Sequence, residues 1–424
     1  MQRRSACLWP ALLLVWATVL GVLIAQAPDG PQGIGPGFDF PADRRGLLDL
    51  RNTSAVSAMR RHAWMVFAGM TRAAAGGGPV WETWFTEDQV FDPTYVRPTP
   101  YVRPFRPATQ LRGRAGGPPA AAFDESSLSY ILFNAAARDY IQTNRLYSRA
   151  VLRQMNSAFA PTTPIENRHI GDFPREAMAT KSIWWVVKKD GVTPIPIWDP
   201  IALKSIPPDA VMPSQSWTRV VGIDPSRGSI PAEETQTLQF ANRSWPNSHV
   251  VPLSKVYGFR IDSAAVAATV NANKQSNAPD AEVGDSVVLM ALHYTTKEIP
   301  QWMWATVWWH DRPDQGRFAA DRPPQVRGVW RNYLMNTTYS MDTPVEPDGS
   351  PPICFNPWLE AKRTDGVVSN CMGCHQQAVW PSPDQSVYVR VIRGTLWPTN
   401  PMNASLYAGS MRLDFLWSLA IQSK

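Results

Sequence analysis

Three residues near the carboxyl end of the chain have types and a spacing that point to one chemistry. The sequence CMGCH, residues 371–375, places Cys371 and Cys374 three positions apart, with His375 directly after the second thiol. Two thiols at this spacing add across the two vinyl groups of a haem, and the adjacent imidazole reaches the iron from one face. The motif therefore predicts one covalently attached haem c, with His375 as the proximal iron ligand.

Other sites that use a cysteine pair fit this sequence less well. A zinc site needs four ligands, and no second cysteine pair or suitable group of cysteine and histidine completes one here. A thioredoxin-like redox pair occurs beside a β-α-β pattern, which the flanking sequence lacks. Of the four cysteines, Cys7 lies in an N-terminal apolar segment, which leaves Cys354 as a single thiol. We therefore expect Cys354 to be reduced and the chain to have no structural disulfide.

The second axial position on the iron has several candidates. Met402 and Met411 follow the motif, where a thioether ligand is usually found, although a loop methionine and a core methionine are equally ordinary interpretations. His293 and His310 lie on two predicted strands, where a histidine is more often a hydrogen-bonded core residue. Cys354 is more readily explained as an inert buried thiol than as a ligand. The sequence leaves these alternatives open, together with an iron that has no second protein ligand.

The segments upstream of the motif are predicted to be strands. Apolar patterning predicts strands at 182–187, 255–262, 286–296 and 302–311, of which the last two form a hairpin. Because little chain follows His375, we predict that this hairpin forms part of the wall around a haem. The hairpin residues expected near the motif are Trp302, Trp304, Trp308, Trp309, His293 and His310.

Helices are predicted on either side of this β region. Apolar spacing predicts helices at 54–74, at 124–155 and from Leu406 onward. Residues 93–119 and 312–370 are rich in proline and are predicted to be extended or loop-like. The predicted fold class is α+β, an antiparallel β core flanked by helices, with a loop-rich C-terminal haem c segment.

The N-terminus has the pattern of an export signal or a retained membrane anchor. A short basic start precedes an apolar stretch at 6–25 that is long enough to span a bilayer. Either outcome puts the rest of the chain outside the cytoplasm, in the periplasm or tethered to the inner membrane. The predicted divisions are 1–27 for this segment, 28–160 for a Pro-rich arm and helices, 161–315 for a β-rich core, and 316–424 for a haem c segment packed on the core.

Composition limits the other function classes. The formal net charge of +6 is small for a chain of this length, and its arginines are dispersed, so we expect no nucleic-acid binding. No paired carboxylates at a recognisable site, Ser/His/Asp arrangement or phosphate-binding loop indicates another enzymatic chemistry. The 19 tryptophans are consistent with an aromatic-rich core or with a wall around a planar cofactor.

Three blocks of the sequence resemble a known family. The block NPWLEAKRTDGVVSNCMGCHQQAVWP at 356–381, the stretch QWMWATVWWHDRPD at 301–314 and the ending RLDFLWSLA at 412–420 resemble exported bacterial monohaem proteins of the cytochrome c family. The resemblance covers roughly the last 170 residues and implies covalent haem attachment, without implying an activity. The leading expectation is electron transfer to a redox partner protein. The alternatives are a haem enzyme or gas or peroxide sensor with an open distal site, and an aromatic-rich binding module.

Overall fold

A computed structural model describes most of the chain in ten ranges. These ranges are 31–98, 103–107, 128–198, 219–232, 234–275, 277–341, 343–344, 352–360, 370–382 and 407–424. Within them the α+β class is confirmed, since a large antiparallel sheet is flanked by helices. The predicted export segment lies outside these ranges. No helix in the described part of the chain is long and apolar enough to cross a membrane.

The strands and helices are numbered in chain order. The strands are β1 (Phe85–Thr86), β2 (Arg106–Pro107), β3 (Leu128–Phe133), β4 (Met178–Val187), β5 (Thr193–Ile197), β6 (Arg219–Asp224), β7 (Thr235–Phe240), β8 (Arg243–Pro252), β9 (Gly258–Arg260), β10 (Ser286–Thr296), β11 (Met303–Trp309), β12 (Tyr333–Thr338), β13 (Val379–Trp380) and β14 (Met411–Arg412). The helices are α1 (Arg44–Asn52), α2 (Val56–Thr71), α3 (Glu87–Phe91), α4 (Ala135–Thr143), α5 (Arg149–Ser157), α6 (Ala264–Asn273), α7 (Cys371–His375) and α8 (Trp417–Gln422). Short 3-10 turns occur at Val80–Thr83, Ile165–Asn167, Leu253–Lys255, Arg317–Ala319 and Gly328–Asn332.

The main sheet contains the predicted hairpin at its centre. Its path within the described residues is β1-β3-β4-β10-β11-β12, with β2 paired to β3 and β9 paired to β10. The hairpin β10–β11 is confirmed, with Thr296 opposite Met303 at its closed end. Because successive side chains of a strand alternate between faces, the register decides which residues share a face. Thr295 and Trp304 therefore lie side by side on one face, whereas Tyr294 lies on the other.

Two apolar cores pack against the main sheet. On the Tyr294 face the long helix α2 covers the sheet, and the Tyr294 hydroxyl donates to the carbonyl of Ala63 at 2.6 Å. The predicted helix at 54–74 is thereby confirmed as α2, with ends shifted by a few residues. On the Trp304 face a second core joins Trp304 to Met372 of α7 and to Leu413 near the C-terminus. The CMGCH segment is thus held against the sheet by its own apolar cluster.

A second sheet was not predicted from the sequence. It has the strand order β5-β6-β8-β7, in which β6 and β8 run parallel and the other pairs are antiparallel. A buried carboxylate connects it to the main sheet, since Asp311 accepts hydrogen bonds from Arg219 at 2.7 Å and from His249 at 3.0 Å. The strand β12 was also missed, because 312–370 was predicted to be loop-like. It extends the main sheet beside β11.

The predicted single helix at 124–155 is wrong at 128–133, and the rest of its described range forms two shorter helices instead of one. Residues 128–133 form strand β3 between β1 and β4, and two separate helices, α4 and α5, follow it. Side chains on both faces of β3 are buried, so its apolar run lacks the alternation typical of a half-exposed strand. Arg145, with a φ of 52°, separates the two helices.

The predicted C-terminal helix is also largely wrong. Within 407–424 the chain first forms strand β14, which pairs with β13, and only Trp417–Gln422 is helical. Asp414 and Phe415 both have positive φ values, 46° and 68°, which no α-helix accommodates. Met411 therefore lies on a strand rather than on a helix face.

Candidate functional site

The CMGCH motif forms one short helix that is fixed at its start. The Asn370 side chain caps α7 by accepting from the Met372 backbone N–H at 3.0 Å. Its amide nitrogen donates to the Pro352 carbonyl at 2.8 Å and to Thr338 Oγ1 at 3.2 Å. One side chain therefore ties the motif to the end of β12 and to the segment 352–360.

Burial and one hydrogen bond together set the state of His375. Its Nδ1 lies 2.9 Å from the main-chain carbonyl oxygen of Phe415. A carbonyl only accepts hydrogen bonds, so Nδ1 carries a proton. Removal of the ring from water lowers the pKa of His375 to about 3, against the opposing effect of the Phe415 hydrogen bond, so the ring is neutral at pH 7 and Nε2 presents its lone pair. Nε2 makes no hydrogen bond to any residue in the described ranges.

The Phe415 carbonyl is itself held by a buried ion pair. Lys297, from the hairpin turn, is fully buried and donates to Asp414 Oδ1 at 2.5 Å and to the Pro300 carbonyl at 2.7 Å. The other oxygen of Asp414 accepts from the Phe173 backbone N–H at 3.1 Å. A non-glycine residue in the left-handed region costs about 1–2 kcal/mol, so these contacts offset the strain at Asp414 and Phe415.

The hairpin also contacts the motif directly. The Trp304 ring lies 4.1 Å from the His375 ring, centroid to centroid, with 39° between the ring planes. This confirms the predicted contact between the hairpin and His375, and it limits rotation of the imidazole. The other predicted tryptophans pack elsewhere. Trp302 lies beside Phe173, and Trp308 packs on Trp198 of the second-sheet region.

A row of polar side chains crosses the same face of the sheet next to Trp304. Strand register places Lys181, His293, Thr306 and Asn336 side by side on β4, β10, β11 and β12. His293 Nε2 lies 2.8 Å from a carboxylate oxygen of Glu360. The sequence did not indicate this row, since its members come from four strands that only the sheet brings together.

The segment 352–360 lies along this row. Asn356 donates to Thr306 Oγ1 at 2.6 Å, and Asn336 donates to the Ile353 carbonyl at 3.1 Å. The backbone N–H of Asn356 also donates to Glu360. The polar row is therefore occupied by a well-bonded strip of chain, and His293 is oriented by Glu360.

Lys181 of this row and the nearby Glu87 are both buried and ionisable. Burial raises the pKa of Glu87 to about 7, against the opposing charges of Arg106 and Lys181. Burial lowers the pKa of Lys181 to about 8, against the opposing charges of Glu87, Glu360 and Cys374. Both groups therefore exchange protons near neutral pH, and the charge of Lys181 acts on both His375 and Cys374.

The remaining candidates for the second iron ligand are spread over the molecule. Met411 is buried on β14, opposite Trp380, and belongs to the same apolar core as Met372. Met402 lies outside the described residues. His310 directly follows β11, six residues beyond Trp304, which corresponds to about 20 Å along an extended chain. Its Nδ1 accepts from the Arg312 backbone N–H, so this nitrogen is bonded within the segment that follows β11.

The structure gives Cys354 a neighbour that the sequence did not predict. Cys354 is fully buried, and its Sγ lies 3.7 Å from the Sγ of Cys371. The Cys371 thiol donates to the Cys354 carbonyl at 3.2 Å. This contact with Cys354, together with burial, raises the pKa of Cys371 well above its usual value. The two thiols are 17 positions apart, so no local pattern could have paired them.

Neither ligand geometry nor similarity to known proteins identifies the site further. Within the described ranges, no group of three or more His, Cys, Asp or Glu residues is arranged to hold a metal ion. A haem supplies four ligands of its own and takes only one or two from the protein, so it does not require such a group. Comparison of the chain with protein families, curated proteins and solved structures finds no match.

Proposed function

We propose that the chain holds one haem c, bound covalently through Cys371 and Cys374, with His375 as an axial ligand of the iron. The observation that carries this proposal is the state of His375. Its Nδ1–H donates a hydrogen bond to the Phe415 carbonyl, its ring is neutral, and its Nε2 keeps a lone pair. A nitrogen that ligates a metal needs this tautomer, and a hydrogen bond from the other ring nitrogen to a carbonyl is the usual way of fixing it.

The two thiols of the motif differ in how accessible they are for attachment of a haem. Cys374 is exposed on α7, where a vinyl group can reach it. Cys371 is buried and turned toward Cys354, so attachment there requires its thiol to leave the Cys354 carbonyl. Both cysteines belong to one turn of α7, where one is buried and the other exposed.

The proposed activity is electron transfer outside the cytoplasm. A haem supplies a one-electron couple, whose potential depends on the axial ligands, their hydrogen bonds and the surrounding burial. This chain's own residues fix the His375 ring through Phe415 and Trp304 and cover the motif with an apolar core. An exported or membrane-tethered location and a redox partner protein are part of the proposal, because haem c is attached outside the bacterial cytoplasm.

A haem enzyme is a second candidate, and one observation favours it. Glu87 and Lys181 are buried with pKa values of about 7 and about 8, beside the row that contains His293. Buried groups that titrate near neutral pH are common where protons are exchanged with a substrate. A carrier of single electrons has no need of them.

Staining for covalent haem tests the first proposal. The chain is produced with a haem-attachment system, denatured, separated on a gel and stained for haem peroxidase activity. We expect staining of the wild type and of Cys354→Ala, and complete loss in Cys371→Ala/Cys374→Ala. An unstained wild-type band would contradict the proposal.

The spectrum of the ferrous protein with carbon monoxide then separates the two activities. Rapid formation of a carbon monoxide complex indicates an open position on the iron and supports the enzyme. An unchanged spectrum supports electron transfer through a six-coordinate iron.

A further inference from the structure

We infer that Cys354 and Cys371 form a disulfide in the chain before any cofactor is attached, with Cys374 as the thiol through which the oxidant enters. This inference goes beyond the proposed function, because it concerns the protein alone and holds whether or not a haem is later bound. It assigns a covalent site to Cys354, which the motif leaves unused.

The backbone already has the geometry that a disulfide needs. Cys354 pairs with Asn370 in a parallel β-bridge, and the Cys371 backbone N–H donates to the Cys354 carbonyl at 3.1 Å. Bridged segments lie about 4.8 Å apart, and a disulfide spans Cα separations of about 4.4–6.8 Å, so the position directly after the bridge brings Cys371 close to this range. The sulfur atoms are 3.7 Å apart, which leaves a short gap to close.

The surroundings hold this pair in place. Asn370, directly before Cys371, donates to the Pro352 carbonyl two residues before Cys354. The same helix and segment are also joined to β12 through Thr338. Both thiols are buried in the apolar core that contains Met372, where a disulfide leaves no polar group unsatisfied.

The three thiols differ in their access to solvent, and this difference sets an order of reaction. Cys374 is exposed, Cys371 is nearly buried and Cys354 is fully buried. An oxidant of protein size reaches only the first, since thiol-disulfide exchange requires direct approach of the two sulfur atoms. Cys371 lies between the other two, because it is on the same helical turn as Cys374 and in contact with Cys354.

The exchange balances with an external disulfide as the oxidant. The Cys374 thiolate attacks that disulfide, forms a mixed disulfide and releases one thiol of the oxidant. Cys371 then displaces the second thiol and forms a bond to Cys374. Cys354 finally attacks the Cys371 sulfur, so that Cys374 leaves as a thiol. In sum, Cys354 and Cys371 lose two electrons and two protons, and the external disulfide becomes two thiols.

Formation of the Cys354–Cys371 disulfide competes with attachment of a vinyl group, because both reactions use the sulfur of Cys371. A thioether at Cys371 leaves Cys354 as a single reduced thiol, which is the state expected from the cysteine count. A disulfide blocks the attachment until a reductant restores both thiols. The redox state of Cys354 thus controls when Cys371 is available for attachment of a vinyl group.

Peptide mapping of the protein produced without a haem-attachment system tests the inference. The protein is exposed to oxidised glutathione, denatured without reductant in the presence of an alkylating agent, and digested with trypsin. Lys362 and Arg363 lie between Cys354 and Cys371, so the digest puts the two cysteines on different peptides. We expect these two peptides to be linked in the wild type, with alkylated Cys374, and the link to form more slowly in Cys374→Ala, because that variant lacks the exposed thiol that meets the oxidant.

The controls are Cys354→Ala and Cys371→Ala, both of which should lose the link completely. A bond between Cys371 and Cys374 on one peptide, with alkylated Cys354, would overturn the inference. So would full alkylation of all three cysteines. Neither result depends on haem binding, so failure here is distinct from failure of the haem stain.

Discussion

The imidazole of His375 and the main-chain carbonyl of Phe415 are joined across 40 residues of sequence by a hydrogen bond of 2.9 Å. The carbonyl points at the ring because Asp414 and Phe415 adopt left-handed backbone conformations. Lys297 stabilises that turn from the hairpin, through its bond to Asp414. The tautomer of the proposed ligand therefore depends on a lysine that does not touch it.

Lys297→Met should destabilise the protein and disturb His375. Removing one partner of a buried ion pair costs about 3–5 kcal/mol, because the other charge is left uncompensated. Burial already raises the pKa of Asp414, so its carboxyl will take up a proton in the variant. Urea unfolding measures the stability, and the nitrogen chemical shifts of His375 report whether Nδ1 keeps its proton.

Lys274→Met is the matched control for that variant. Lys274 also forms an ion pair, but its partner Asp280 is 85% exposed, so the loss should stay below about 1 kcal/mol. Equal losses in the two variants, or unchanged His375 shifts in Lys297→Met, would show that the buried pair does not position the Phe415 carbonyl.

Trp304→Ala should change the environment of His375 in a way that another tryptophan deletion on the same strand does not. Both Trp304 and Trp308 are buried, and each truncation should cost about 3–5 kcal/mol. Only Trp304 contacts the His375 ring; Trp308 packs on Trp198 and Phe318. The absorption spectrum of the haem-loaded protein should shift in Trp304→Ala and stay unchanged in Trp308→Ala. Spectral shifts of equal size in the two variants would mean that overall destabilisation, rather than loss of the contact with His375, is the cause.

His293→Ala should alter the same spectrum, whereas His310→Ala should leave it unchanged. His293 interacts electrostatically with His375, and the polar row that contains it lies next to Trp304. Its removal leaves Glu360 without its 2.8 Å partner, at a stability cost of about 1–3 kcal/mol. A large spectral change in His310→Ala would place a residue of the second-sheet region at the iron and contradict this assignment.

The free energy of unfolding should fall as the pH rises toward neutrality, because Glu87 is buried. The pKa of Glu87 is raised from 4.5 to about 7, so the folded state binds its proton more tightly than the unfolded state does. Stability from this group is fully present below pH 4.5 and is lost as the pH rises through about 7. The shift corresponds to about 3 kcal/mol. Urea unfolding of Glu87→Gln should lack this loss.

Glu282→Gln is the control for the pH series, since its side chain is 62% exposed and forms only surface ion pairs. It should follow the wild-type curve between pH 4.5 and 7. Lys181 adds a separate dependence, because its lowered pKa makes stability rise again between about 8 and 10.5. If the stability of Glu87→Gln falls with pH as steeply as that of the wild type, another group is responsible for the pH dependence.

Local patterns in the sequence determined the parts of this protein that depend on neighbouring residues. The spacing of Cys371, Cys374 and His375 defines the motif, because the reacting atoms lie within one helical turn. The hairpin followed from two apolar runs with a short connection, and α2 from apolar residues at helical spacing. Each of these features is confined to one stretch of chain, where side-chain period and turn length leave few alternatives.

Tertiary structure alone decided which distant residues meet at the motif. Cys354 reaches Cys371 through a β-bridge, the Phe415 carbonyl reaches His375 through a strained turn, and Trp304 reaches it from the sheet. Residues 128–133 carried an apolar run that fits a helix or a buried strand, and pairing between β1 and β4 selected the strand. The same lack of local information applies to the C-terminal turn, which depends on the buried Lys297. Such contacts depend on the order and register of strands far apart in sequence, which no short-range pattern specifies.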